Sequence, residues 1–207
     1  MSKIVQFLLQ KIGIKLDAHK LKKFIDLGFI VIEKILVKFQ RLYPLYFDFY
    51  GEMTENEINL ANISEDDIIL HIGGGPIPAT SILLAKKSGA RVTSIDNNLR
   101  SVKQAISCVL ESGIADKVQI QYAEANSYPV DNFDVIIVSQ GIRPYKELLQ
   151  YISKSMRDDA RVIFRTSTSP SGEIVQNDLF LKDMFKICKI VAQKKNALLI
   201  SILLLKK

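Results

Sequence analysis

The sequence is poor in the residues that build metal centres and cross-links. Its two cysteines, Cys108 and Cys188, stand alone in apolar surroundings with no histidine or second cysteine nearby. That argues against a zinc site or a disulfide framework and predicts reduced, buried thiols. No run of about 18 apolar residues occurs, so no membrane-spanning helix is expected. The longest apolar stretch, 198–205, is broken by Ser201 and has the length of a strand. The opening Met1-Ser2-Lys3-Ile4 has neither the apolar core nor the cleavage site of a secretory leader, so a cytoplasmic location is expected. Internal repeats and low-complexity tracts are missing too. A composition of 48% hydrophobic and 24% charged residues excludes wholesale disorder and a fibrous chain. At 207 residues the chain suits one α/β domain with a modest extension better than two full domains.

Charge is unevenly placed. The net +6 resides in residues 1–42, where nine Lys and Arg face three acids; the rest of the chain carries equal numbers of each sign. Such a segment is either a solvated helix face or a footprint for nucleic acid or anionic lipid. Its apolar residues, among them Ile4, Phe7, Leu8, Leu21, Phe24, Ile25 and Ile32, recur at spacings of three and four, which predicts two or three short helices interrupted near Gly13 and Gly28. An aromatic stretch, 43–51, breaks this pattern at Pro44. Thr54-Glu55-Asn56-Glu57 then reads as a capping box opening a short helix through Ala61.

From Ile68 onward strands and helices alternate. Strands are predicted at 68–72, 91–95, 117–122, 133–139 and 161–166, with helices at 78–88, 99–112, 145–155 and around 174–185 between them. Two closing strands, 187–193 and 198–205, are joined near Asn196 and read as an antiparallel hairpin. The expected fold is an α/β, Rossmann-like, doubly wound seven-stranded sheet, mostly parallel, preceded by an N-terminal helical extension. Ligands of such sheets bind at the carboxyl ends of the strands, where the winding direction switches.

The most informative segment is His71-Ile72-Gly73-Gly74-Gly75-Pro76-Ile77-Pro78-Ala79-Thr80-Ser81, which leaves the first strand and enters a helix. Glycines there admit positive φ and let a ligand approach the backbone closely, while the helix start directs free N–H groups toward it. The alternative is a turn that merely packs strand on helix. Asp96 ends the second strand 21 residues after Gly75, the placement of an acid that binds ribose hydroxyls, and Asn97 follows it. Glu124, followed by Ala125, ends the third strand, where an adenine ring would lie. A dinucleotide fingerprint wants a third glycine that is missing here, and no Gly-Lys-Ser/Thr follows to make a phosphate loop. Two acids flanking a glycine turn suit an adenosine carrying a cationic sulfur and no phosphates, which favours S-adenosylmethionine over NAD.

These residues carry a resemblance. Residues 64–207 resemble the class I S-adenosylmethionine-dependent methyltransferase superfamily. Within it, the run from Ile72 through Gly73-Gly74-Gly75-Pro76-Ile77-Pro78-Ala79-Thr80-Ser81 is similar to the nicotianamine synthases, whose pattern is G-x-G-P-x-P-x-T-S before an apolar helix. The segment 161–166 also resembles the fifth strand of the archaeal members. The resemblance implies a helical cap over 1–63 and an S-adenosylmethionine-binding domain over 64–207. It implies transfer of the 3-amino-3-carboxypropyl group of that cofactor to an amine, with methyl transfer as the alternative. Gly73, Gly74, Gly75 and Pro76 would lie against the cofactor, with Asp96 and Asn97 at its ribose and Glu124 and Ala125 at its adenine. The implied partner is a small-molecule acceptor, an amine or amino acid. A homodimer, or a nucleic acid or membrane surface on the basic segment, is left open. Three departures from the family are visible: His71 stands where methyltransferases usually carry an acid, Pro76-Ile77 replaces their Thr-Gly, and the N-terminal region is short.

A sulfonium is an activated leaving group, so the protein's task is to align nucleophile and carbon and to accept the amine's proton. Tyr50, Glu52 and Glu57 are the candidate catalytic residues, with Tyr46 and Glu55 beside them; each also has a plain structural reading in packing or capping. Ser139 and Gln140 end the fourth strand, Ser139 expected at the cofactor and Gln140 at the acceptor, and Arg143, also expected at the acceptor, follows. Arg143 and Arg165 could each hold a carboxylate with a planar fork or pair with a neighbouring acid. His71 is either a donor near the cofactor or a satisfied core histidine, and His19 carries no signal. The expected site contains no metal.

Overall fold

The computed structural model describes residues 43–167, 178–193 and 199–207. The helices expected over 1–42, the first part of the helix expected near 174–185 and the connection at Asn196 lie outside them. Helix α1 (Tyr43–Ala61) leads into β1 (Ile68–Ile72), α2 (Ala79–Ser88), β2 (Arg91–Asp96), α3 (Leu99–Glu111) and β3 (Val118–Tyr122). Then follow β4 (Val135–Val138), α4 (Tyr145–Ser155), β5 (Arg161–Ser167), α5 (Asp178–Met184), β6 (Phe185–Ala192) and β7 (Leu199–Lys206).

The strand order is β3-β2-β1-β4-β5-β7-β6, with β1 to β5 parallel and β7 antiparallel to both β5 and β6. The doubly wound reading with a closing hairpin holds. Its central strands are apolar throughout because helices cover both faces: every residue of β4 is buried, as are four of five in β1. Alternation along β1 divides the core. Ile69 joins Ile82, Val92, Ile137 and Ile163 under α1 and α2, whereas Leu70 and Ile72 join Ile136, Leu148, Ile152 and Phe164 under α4. The chain winds to one side after β1 and to the other after β4, so the loops leaving these neighbours part and open a crevice.

Two local expectations are overturned. Residues 43–61 form one continuous helix rather than an aromatic break followed by a capped short helix. Pro44 falls in its first turn, where an N–H has no helical partner to lose. Thr54 and Glu57 therefore lie in mid-helix on the packed face, both fully buried, and make no capping box. Of the cysteines, Cys108 is buried as expected, but Cys188 is exposed on the edge strand β6. No described helix is long and apolar enough to cross a membrane.

The core's energetic weight rests on β1 and β4. Ile137→Ala should cost about 2–5 kcal/mol in urea denaturation because a fully buried methyl-rich side chain leaves a cavity. Leu110→Ala, at a position 63% exposed, should stay within about 0.5 kcal/mol of the parent.

Candidate active site

The carboxyl ends of β1, β2, β4 and β5 surround a cavity of about 420 Å³, closed on one side by α1. A second cavity of about 260 Å³ adjoins it beyond β2, and both touch Gly73, Asp96, Asn97, Ile142 and Arg143. Together they form one crevice running along the strand ends from β3 toward β7.

Its near end is built by backbone. Gly73 and Gly75 hold φ of +83° and +65°, a region costly for residues with a Cβ. The N–H groups of Gly73 and Gly74 donate to the Ile95 carbonyl at 2.9 and 3.2 Å, locking the turn against the end of β2. A Cβ on Gly74 would lie 2.2 Å from Ser94 Oγ, so the middle glycine is a packing requirement. The N–H of Gly75 donates to Asp96 Oδ2 at 2.9 Å, and the N–H of Asn98 donates to Oδ1 at 2.9 Å. Each carboxylate oxygen has two acceptor directions, so Asp96 is fixed by one bond per oxygen and keeps capacity toward the cavity it lines. Glu124 accepts from Asn97 Nδ2 at 3.4 Å and, with Ala125, lines the smaller cavity. Asp96 and Glu124, the acids that end β2 and follow β3, thus face neighbouring parts of the same crevice.

His71 is a clamped core histidine that also reaches the wall. Its Nδ1 is 2.8 Å from Ser81 Oγ and its Nε2 is 2.9 Å from Ser139 Oγ. Burial, and then the charge of Arg165, push its pKa down to about 3, so the ring is neutral at physiological pH. A neutral ring donates through only one nitrogen, so it orders both hydroxyls without adding charge to the cavity.

The far end is built by α1. Tyr46, Phe49, Tyr50 and Met53 recur at helical spacing and present one face to the cavity, and Tyr46 donates to Tyr50 Oη at 3.4 Å. One turn further, Glu57 meets Arg165 of β5. Arg165 Nε donates to Glu57 Oε1 at 2.8 Å and Nη2 donates to Oε2 at 2.6 Å. Ser201 Oγ of β7 donates to Glu57 Oε1 at 2.7 Å, and Arg165 Nη1 donates to Thr80 Oγ1 of α2 at 3.0 Å. Gln193 donates to Ser201 at 3.2 Å and accepts from Asn56 at 2.9 Å. One network thus joins α1, α2, β5 and β7, and the burial that would neutralise Arg165 is outweighed first by the Glu57 carboxylate, leaving its pKa raised.

Most predicted site residues converge. His71, Gly73, Gly74, Gly75, Asp96, Asn97 and Ser139 line the larger cavity with Tyr50, Gln140, Arg143 and Arg165. Three do not. Pro76 lines neither cavity, although Gly75 and Ile77 beside it line the larger one. Glu52 lies on α1 away from the cavity-facing residues. Glu57 lines neither cavity, and both its carboxylate oxygens accept from Arg165. Glu55 is exposed and paired with Lys87 at 3.3 Å. Phe49, Met53, Ile142, Leu199 and Ile200 were missed as wall residues; the helical spacing of Tyr46 to Met53 was the one signal available. Among the described residues no His, Cys, Asp and Glu cluster could hold a metal ion.

Two consequences are measurable. An unfolded histidine titrates near 6.5 and the folded one near 3, so below pH 6.5 the unfolded state binds the extra proton and wild-type stability falls. The stability cost of His71→Gln should therefore shrink by roughly 1.4 kcal/mol for each pH unit below 6.5. A cost that stays constant from pH 7 to pH 5 would mean that the folded ring takes up a proton. Separately, Glu57→Gln strands a buried guanidinium and should destabilise the fold by about 3–5 kcal/mol in chemical denaturation.

Comparison with known proteins agrees with this geometry. A 115-residue stretch is 26% identical to an L-histidine 2-aminobutanoyltransferase from Yersinia pestis, covering 54% of this chain and 43% of that enzyme. The chain thus spans less than half the length of the curated relative it matches. Solved structures of the same fold include a glutamate-to-glutamine variant of MtNAS in complex with S-adenosylmethionine, with TM-score 0.74 and 21% identity over 91% of this chain and 77% of that one. MtNAS in complex with MTA and tNA gives 0.71 and 22% over 84% and 68%. An RNA methyltransferase from Salinibacter ruber gives 0.59 and 16% over 75% and 91%. The model of the nicotianamine synthase protein family matches residues 21–207, the glycine turn, the crevice and the closing hairpin included, and the chain belongs to that family.

Proposed function

We propose that this protein is an S-adenosylmethionine-dependent transferase that moves the 3-amino-3-carboxypropyl group onto the nitrogen of a small amine or amino acid. The observation that carries the reading is the pair of joined cavities at the switch between β1 and β4, with Asp96 and Glu124 at one end and the aromatic face of α1 at the other. Family membership supports it, as do a relative that is an L-histidine 2-aminobutanoyltransferase and a like-folded MtNAS variant solved with S-adenosylmethionine.

The residues fit such a group. Asp96 retains acceptor capacity for ribose hydroxyls, the three glycines present their backbone to the larger cavity, and Glu124 is an acceptor at the base end. When bound, the cofactor supplies a sulfonium carbon activated for displacement, with a neutral thioether nucleoside as leaving group. The chain supplies placement: walls of Tyr46, Phe49, Tyr50 and Met53 exclude water and hold cationic groups against aromatic faces. Among the described α1 candidates for accepting the amine's proton, Tyr46 and Tyr50 are the ones that reach the cavity, and their hydroxyls are already linked. The neutral His71 fixes Ser139 where it lines the same space.

Mass spectrometry of the nucleoside released from S-adenosylmethionine in the presence of candidate amines decides the chemistry. Methylthioadenosine is the expected product, whereas S-adenosylhomocysteine would assign methyl transfer instead. Calorimetric binding of S-adenosylmethionine should weaken roughly tenfold or more in Asp96→Ala, which removes charge-assisted acceptors.

A further inference from the structure

Arg165 carries more donors than its partners consume. A guanidinium has five N–H groups; Nε gives its one to Glu57, Nη2 gives one to Glu57 and Nη1 gives one to Thr80. That leaves a second N–H on each terminal nitrogen with no acceptor among the described residues. The side chain is 5% exposed, and a donor so deeply buried is ordinarily satisfied. Arg165 also lines the larger cavity. Tyr50 covers a face of the guanidinium, its ring centroid 6.0 Å from Cζ, so a ligand approaches in the plane of the fork. Next in the chain, Thr166 is wholly buried, lines the same cavity and has a hydroxyl without a partner. Two adjacent residues at the end of β5 thus leave hydrogen-bonding capacity beside one cavity.

We propose that the Nη1–Nη2 edge of Arg165 is a carboxylate subsite of the transfer site, and that Glu57 is the positioning residue that holds the fork in place by occupying its other edge. The inference rests on the transferase reading and deepens it, because it assigns the ligand an α-carboxylate beside its amine. Glu57 cancels most of the guanidinium's charge, so the subsite binds through directed, planar hydrogen bonds rather than through a bare cation. Without the Glu57 clamp the long arginine side chain would be free to swing and would lose orientation before any ligand arrived. A carboxylate of this kind could belong to the amino-acid arm of S-adenosylmethionine or to an amino-acid acceptor, and the test separates the two.

The experiment measures calorimetric dissociation constants of S-adenosylmethionine and of methylthioadenosine, which lacks the amino-acid arm. It adds Michaelis constants for an amino-acid acceptor and its decarboxylated amine. Three proteins are compared: wild type, Arg165→Lys and the double variant Glu57→Leu with Arg165→Met. Lysine keeps the charge beside Glu57 but loses the second edge, and the double variant removes both buried charges together, so neither leaves an unpaired ion. The expected result is a weakening of roughly tenfold or more confined to ligands bearing the carboxylate. Loss of S-adenosylmethionine with methylthioadenosine unchanged assigns the subsite to the cofactor arm. A raised Michaelis constant for the amino acid alone assigns it to the acceptor. Unchanged constants throughout, or equal weakening of ligands with and without the carboxylate, would overturn the subsite while leaving the transferase reading intact. A wild-type protein that binds neither nucleoside would remove that reading and the subsite with it.

Discussion

The buried pair between Glu57 and Arg165 ties α1, the helix that closes the cavity and also packs its Tyr46, Leu60 and Ala61 into the core, to β5 of the sheet. Glycine turn, Asp96 and Glu124 are all supplied by the sheet and its loops, but without α1 they would form an open shelf at the strand ends. A bidentate ion pair with both side chains inside the protein is expensive to desolvate, and nature often does as well with apolar residues of similar volume. Its value here is geometric. It ties to β5 the same helix that carries Tyr46, Phe49, Tyr50 and Met53 in its preceding turns.

The two ends of the crevice are made by different means. At the end by the glycine turn, rigidity comes from backbone: positive-φ glycines, N–H groups tied to the Ile95 carbonyl and an aspartate held through both oxygens. At the α1 end it comes from side chains on separate elements, joined by hydrogen bonds running from Asn56 through Gln193, Ser201 and Glu57 to Arg165 and Thr80. This division suits an enzyme in which one ligand is common to a family and the other differs between members, because backbone geometry tolerates few changes and a side-chain network tolerates many.

The sheet and the glycine turn were legible in the sequence because both rest on local signals. Apolar runs bounded by turn residues marked the strands, and three glycines between a strand and a helix marked the turn. What escaped was whatever depends on a distant partner. Thr54 and Glu57 have the spacing of a capping box, and only the continuation of the helix back to Tyr43 places them on a packed face, where tertiary burial overrides the local motif. Nothing near Glu57 announces Arg165, 108 residues away. Arg165 itself was readable as a fork for a carboxylate or as half of an ion pair, and the structure shows that the pairing is real and occupies one edge. His71 was likewise balanced between donor and core residue until Ser81 and Ser139 were seen to hold both its nitrogens. Leu199 and Ile200 were recognised as strand, but their place in the wall follows from β7 pairing with β5, which no local pattern encodes.

Everything proposed for this protein requires one crevice, spanning β3 to β5 and closed by α1, to hold a sulfonium nucleoside. The most direct measurement is a crystal structure of the full chain with S-adenosylmethionine. The expected density places ribose hydroxyls on Asp96, the base in the smaller cavity by Glu124 and Ala125, and the sulfur in the larger cavity beneath the aromatic face of α1. Density for the ligand outside these two cavities, or the base lodged at the α1 end, would contradict it.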